Sequence, residues 1–473
     1  MVQLKKMEEI NTMVLTSTSY ESFADSVVWE YLIQIFILVI ALLLGNTVRR
    51  KVPFIRKSLM PTSLIGGLFI LILKFIPGFN DLVDHGFMEI ITYHTLGIGF
   101  IALSLKTSKE STKSSTLTII DTGLVTGASY ILQAIIGLVI TIGLFVLGDA
   151  YGIIPGAGVL LALGYGQGTG QALSFGKLYE SDFGFNGGAT FGLTIATTGF
   201  IVASVVGVIY MNILKKQGKL KIAGEDEGNK DELIDYVHEN EIPNTGSVDK
   251  LTINLSLILV IYAIVFVIMK LIGINLIWGF NFLLGTILAA VFRKAFVILK
   301  KYKIMHKDLT NNFLLDRISG FMFDIMIIAG VAAIDITQLS SLVIPILIIC
   351  ALGAIGTFIY VRKATSYLYK GYEHEMFFAM FGMLTGTASN GMILLREVDP
   401  KFETPAATNL VLQQIPAIAF GGAILLVLDY CPKGLKEACI TLGILFVAFI
   451  IYTLVIFRRK IFKNKEKVEQ TNE

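Results

Sequence analysis

Charge is scarce in this sequence: Asp, Glu, Lys and Arg make up 16% of it against 54% hydrophobic residues. A water-soluble domain carries about a quarter of its residues as charges, so that class is excluded. Cysteine is scarcer still. Cys350, Cys431 and Cys439 show neither CxxC spacing nor partner histidines, which argues against a disulfide scaffold or zinc site and reads as unpaired thiols. The five histidines are scattered, and a net charge of +3 gives no reason to expect a nucleic-acid partner. No phosphate-binding P-loop occurs, so ATP is not the expected energy source. The first 28 residues set Lys5 and Lys6 against Glu8, Glu9, Glu21 and Asp25, with no apolar core before Val27. No cleavable signal peptide is expected there, and the first spanning helix should direct insertion itself.

What the chain does have is long apolar runs. Crossing about 30 Å of hydrocarbon takes about 20 residues. Runs of that kind predict spanning helices at roughly 29–48, 60–77, 90–105, 118–147, 187–214, 251–272, 275–299, 316–334, 341–361, 404–428 and 435–457. The expected class is therefore an all-α polytopic membrane protein, with the lipid bilayer as its solvent. Arg49, Arg50, Lys51, Arg56 and Lys57 follow the first run, whereas Asp81, Asp84 and Glu89 fill the second gap without a cation. The positive-inside rule then puts the N-terminus outside. Lys106, Lys109 and Lys113, then Lys215 to Lys221, Arg293 to Lys303, Arg362 to Lys370 and the tail RRKIFKNKEK continue the alternation, with the C-terminus cytoplasmic. This closes only if two further segments, about 156–178 and 374–396, enter and leave on one side. Both are thus expected to be re-entrant hairpins.

The polar stretch KKQGKLKIAGEDEGNKDELIDYVHENEIPNTGSVDK, 215–250, reads as a cytoplasmic linker. It divides a tail (1–28) and a first membrane repeat (29–214) from a second repeat (251–429) and an extra helix with a basic tail (430–473). Sliding one half over the other by about 216 positions superimposes most of the runs, and YGQGTGQA at Tyr165 to Ala172 falls on FGMLTGTA at Phe381 to Ala388. Five crossings before the linker give the second unit the opposite orientation, so the repeats should be inverted. Their hairpin tips would then meet near the midplane. Non-helical backbone at membrane depth is tolerated only where protein or water satisfies its N–H and C=O groups. Glycine permits the close approach, and the helix ends created by a break attract carboxylates on one side and cations on the other.

The stretches GYGQGTGQALSFG and LTGTASNGMILLREVDPKFETPAATN resemble the bacterial sodium:glutamate symporter family over most of the chain. Gln167 stands where better-known members carry His or another residue, a departure that concerns the substrate rather than the fold. The resemblance implies sodium-coupled uptake of an acidic amino acid, L-glutamate or a related anion, in a bacterial inner membrane. It further implies a homodimer and elevator-type movement of a core carrying the hairpins. The helix at 435–457 departs from a simple five-plus-five plan.

A glutamate-like substrate has two carboxylates and an ammonium. The residues nearest the breaks are the candidates to bind it: Gln167, Thr169, Gln171 and Ser174 in the first hairpin, and Thr385, Thr387, Ser389 and Asn390 in the second. Asn409, Gln413 and Gln414 join them, because an unsatisfied amide in lipid is costly and should face protein or a cavity. Thr194, Thr197 and Thr198 each have the plainer alternative of bonding back to their own helix. Sodium takes oxygen ligands, for which Thr169, Thr385 and Asp324 are candidates; for Asp324, pairing with a neighbouring helix is the alternative. Asp121 and Asp316 lie near helix ends, where a cap or salt bridge suffices. No covalent cofactor and no enzymatic activity are expected. The alternatives are another dicarboxylate or hydroxycarboxylate as cargo, proton coupling, and, further off, an intramembrane enzyme or a channel.

Overall fold

The computed structural model describes residues 26–458 except 77, 107–114, 149–150, 221–249, 274–277, 279, 304–308 and 400–402. The N-terminal tail as far as 25, the body of the expected linker and the basic tail from 459 lie outside the described residues. Among those described, every regular element is a helix, and eight helices are long and apolar enough to cross a membrane.

Helix α1 (Ser26–Lys51) ends on Arg49, Arg50 and Lys51, cations that suit the negative end of a helix. After α2 (Thr62–Leu73), α3 (His85–Leu105) starts on Asp84, whose carboxylate accepts from the Phe87 N–H at 3.2 Å. Ser115 caps α4 (Thr116–Val146) in the same way. Next come α5 (Leu160–Gln167), α6 (Thr169–Phe183) and α7 (Gly188–Lys216). The second half opens with α8 (Lys250–Ile272), α9 (Asn281–Lys301), α10 (Asn312–Ala332) and α11 (Ile336–Leu368). It continues with α12 (Glu373–Thr385), α13 (Ala388–Val398), α14 (Ala406–Leu412) and α15 (Gln414–Leu425), and α16 (Leu435–Ile456) follows. Asp335 caps α11 from the loop before it: burial alone would raise its carboxyl, but the Thr337 hydroxyl and N–H, with His85 nearby, hold it below the usual carboxylate range.

Three of the expected spans differ from the eight long apolar helices. The run at 60–77 yields only α2, whose 12 residues reach about 18 Å at 1.5 Å per residue, short of the hydrocarbon thickness. The run at 316–334 keeps its helix, α10, but carries Asp316, Arg317 and Asp324. The run at 404–428 is interrupted at Gln413, because Pro416 offers no N–H to the Leu412 carbonyl and its ring crowds that carbonyl.

Side-chain packing sorts the helices into two groups. One comprises α1, α2, α3, α8, α9 and α10, in which α3 lies along α10 and α9 while α2 packs on α1 and α10. In the other, α4 packs on α15, α16, α11 and α5, and α7 packs on α6, α5, α12 and α11. Ion pairs tie helix ends: Lys106 to Asp316 between α3 and α10, and Arg458 to Asp121 at 2.9 Å between the end of α16 and the start of α4. Lys177 on α6 meets Glu89 on α3 at 2.9 Å, across the two groups. Ile444, Val447, Ile451 and Leu454 on α16 are exposed, as a lipid-facing surface requires.

Candidate functional site

Helix α5 follows a tight turn at Pro155–Val159, and every side chain from Pro155 to Gly166 is buried. A helix that is apolar all round and covered all round belongs to the interior of a membrane protein. It stops at Gly168, whose φ of +86° is rarely adopted by residues with a side chain. The Gly168 N–H still closes on the Gly164 carbonyl at 3.2 Å, and the chain restarts as α6 on Thr169. Helix α12 is likewise buried from Met376 to Thr385; Gly386 and Thr387 then leave helical geometry before α13 begins at Ala388. Thr387 is extended, and its hydroxyl donates to Asn390 Oδ1 at 3.3 Å.

The two breaks touch. A methyl carbon on Gly168 would stand 3.4 Å from Thr387 Cγ2 and 4.0 Å from the Gly386 carbonyl. Helix α7 supports the second break from behind, where Gly199 lets the Thr385 carbonyl come within 2.4 Å of where a Cβ would be.

Beside the breaks lies a cavity of about 150 Å³. Its polar lining is Gln167 and Gln171 from the first break, Thr387 and Ser389 from the second, and Gln414 from α15. Apolar walls come from the opposite group of helices: Phe100 and Leu103 on α3, Phe282 and Leu283 on α9, Phe323 and Met326 on α10. The cavity therefore sits between the two packed groups, and among the described residues Tyr130 is the ionisable side chain that lines it. The Gln171 side chain is 1% exposed, and neither its Oε1 nor its Nε2 has a hydrogen-bond partner among the described residues.

The sequence profile of sodium/glutamate symporters matches residues 29–403. The chain belongs to the sodium/glutamate symporter family. Comparison with curated proteins gives no match. Membership makes this symporter a multi-pass, sodium-coupled transporter from a family whose transported species are glutamate and Na⁺.

Four of the block of residues expected near the symporter's breaks, Gln167, Gln171, Thr387 and Ser389, share the cavity. Others are committed elsewhere. Thr169 donates to the Met326 carbonyl on α10 at 3.4 Å, Ser174 to Gly170 O at 2.8 Å and Thr385 to Phe381 O at 2.7 Å. Thr194 and Thr197 bond back to Thr190 and Leu193. Asn390 lies buried beneath Thr387, and Asn409 donates to the Tyr372 hydroxyl at 3.3 Å. Gln413 accepts from the Thr126 hydroxyl at 3.0 Å and donates to Met383 Sδ at 3.2 Å. Asp324 is absent from the cavity lining; Ser63 and Arg49 lie beside it. Among the described residues no group of three or more His, Cys, Asp or Glu converges as a metal cluster would.

Sequence reasoning missed Tyr130 and Gln133, both on α4. The Tyr130 hydroxyl donates to the Gly166 carbonyl at 3.1 Å, and Gln133 Nε2 donates to the Leu384 carbonyl at 2.7 Å. One helix thus holds the last turns of both α5 and α12. The signal was available, since a glutamine in the middle of a 31-residue apolar helix needs a partner as much as Asn409 does.

Proposed function

We propose that this symporter imports glutamate together with sodium by alternating access, the group that carries the two breaks moving against the other as an elevator. The observation that carries this reading is the cavity between the two groups, lined by both breaks. Each helix N-terminus presents unpaired N–H groups and about half a positive elementary charge. The starts of α6 and α13 together therefore match one carboxylate without an ionic side chain. In this reading Gln167, Gln171, Thr387, Ser389 and Gln414 contact substrate, while Thr169, Ser174, Thr385, Asn390, Asn409 and Gln413 hold the breaks in shape.

The same proposal treats α5–α6 and α12–α13 as re-entrant hairpins within inverted repeats. The order of helices supports it: α3 and α10 pair, as do α4 and α11, and each pair occupies equivalent places in the two halves. The cation-rich gaps support an outside N-terminus. A bacterial inner membrane and a homodimer complete the proposal on the strength of the family alone.

Uptake of radiolabelled L-glutamate into liposomes holding the purified protein tests the function. Accumulation that requires an inward sodium gradient, and collapses with a sodium ionophore, is expected. Accumulation unchanged when potassium replaces sodium would refute sodium coupling. Absence of glutamate uptake would refute the cargo, and competition by dicarboxylates and hydroxycarboxylates would then identify the anion.

A further inference from the structure

Gln133 is fully buried in the middle of α4, where four elements converge. Its Nε2 donates to the Leu384 carbonyl at 2.7 Å in the last turn of α12 and to Thr357 Oγ1 at 3.0 Å on α11. Those bonds fix which way the amide faces, because a backbone carbonyl accepts and cannot donate. Oε1 is therefore turned away from them, and a Cβ on Gly166, in the last turn of α5, would lie 3.2 Å from it. No donor among the described residues reaches this oxygen.

A buried oxygen without a donor, set at two helix C-termini, has the character of a cation ligand. The last turn of a helix leaves carbonyls without intrahelical partners, and each C-terminus carries about half a negative elementary charge. The ends of α5 and α12 together supply about one such charge, which balances a monovalent ion and leaves a divalent ion undercompensated. The oxygen donors are neutral amide carbonyls, and the Tyr130 hydroxyl bond to the Gly166 carbonyl leaves that oxygen a second lone pair. We propose that a sodium ion binds here, held by Gln133 Oε1 with backbone carbonyls from the ends of α5 and α12. Gly166 and Tyr130 also line the cavity, so an ion at this point lies directly behind the substrate groups. It would brace both breaks in the shape that offers their N-termini to an anion. This deepens the sodium-coupled reading given above and rests on it.

The test is thermal unfolding of the full-length purified protein without substrate, titrated with NaCl at constant ionic strength against KCl. Wild type is expected to show a saturable, sodium-specific rise in melting temperature. Gln133→Leu is expected to raise the half-saturating sodium concentration at least about tenfold, equivalent to about 1.4 kcal/mol. Thr357→Val removes one of the same amide's bonds but spares Oε1, so it should stay within about threefold of wild type. Should Gln133→Leu not yield folded protein, Gln133→Met carries the test, since it fills the same space without an oxygen and should weaken the sodium response as much. An unchanged sodium response in Gln133→Leu or Gln133→Met, or an equal weakening in Thr357→Val, overturns this site and leaves sodium coupling standing. A wild-type protein indifferent to sodium overturns the site and sodium coupling together.

Discussion

Gln171→Leu should make the protein more stable and less active. The native side chain is 1% exposed, and both ends of its amide lack a partner among the described residues. A buried polar group left unsatisfied costs about 1–3 kcal/mol, and leucine fills a similar volume without that penalty. The substrate-free melting temperature should therefore rise by the equivalent of about 1–3 kcal/mol. Uptake should respond in the opposite direction, because a hydrogen bond to a charged group contributes about 1.5–3 kcal/mol. Losing it raises the half-saturating glutamate concentration about ten- to a hundredfold. Thermal unfolding in detergent and liposome uptake, measured on the same preparation, read the two effects. A variant that melts below wild type would show that the amide is already satisfied in the protein. Wild-type uptake kinetics would show that it does not touch substrate. Either result refutes the reasoning.

Asp121→Asn removes the charge that holds Arg458 at 2.9 and 3.2 Å, and should lower stability by about 1.5–3 kcal/mol in thermal unfolding. Gly199→Ala would put a methyl 2.4 Å from the Thr385 carbonyl, so the second break must shift; overpacking of this kind costs about 1–3 kcal/mol, and uptake should fall while the protein still folds. Lys74 is buried and donates to the carbonyls of Ala332, the last residue of α10, and Ile334 just beyond it, each at 2.8 Å. Lys74→Met strands both acceptors and should destabilise the protein by at least about 1–3 kcal/mol, read by thermal unfolding in detergent.

The two helix breaks were legible because glycines cluster there with Thr, Gln and Ser in both halves, and such polar, helix-breaking clusters are rare inside apolar runs. Their detailed chemistry was less legible. The sequence repeat equates Thr169 with Thr385, yet the first break falls before Thr169 and the second after Thr385. The two threonines therefore begin one helix and end another, and each spends its hydroxyl on a carbonyl. Serine and threonine carry this ambiguity inside any helix, because a local acceptor is always one turn away. For Asp324 the sequence left an ion contact and pairing with a neighbouring helix both open, because it does not reveal which face of α10 the side chain occupies; Arg49 and Ser63 are its neighbours. Asp121 and Asp316 were readable as ion-pair partners because helix ends bring chain-distant charges together. Gln414, a candidate because a buried amide needs a partner, reaches the cavity from beyond both breaks, just after the interruption at Gln413.

Tyr130 and Gln133 stand almost one turn apart on α4, one bonded to the carbonyl end of α5 and the other to that of α12. A rigid helix that grips two latches keeps them in register. Shifting either helix end relative to the other would break one of these bonds and leave a carbonyl without its donor, a penalty of about 1–3 kcal/mol. The ends of α5 and α12 are consequently held as one unit, coupled through a single helix rather than free to shift independently.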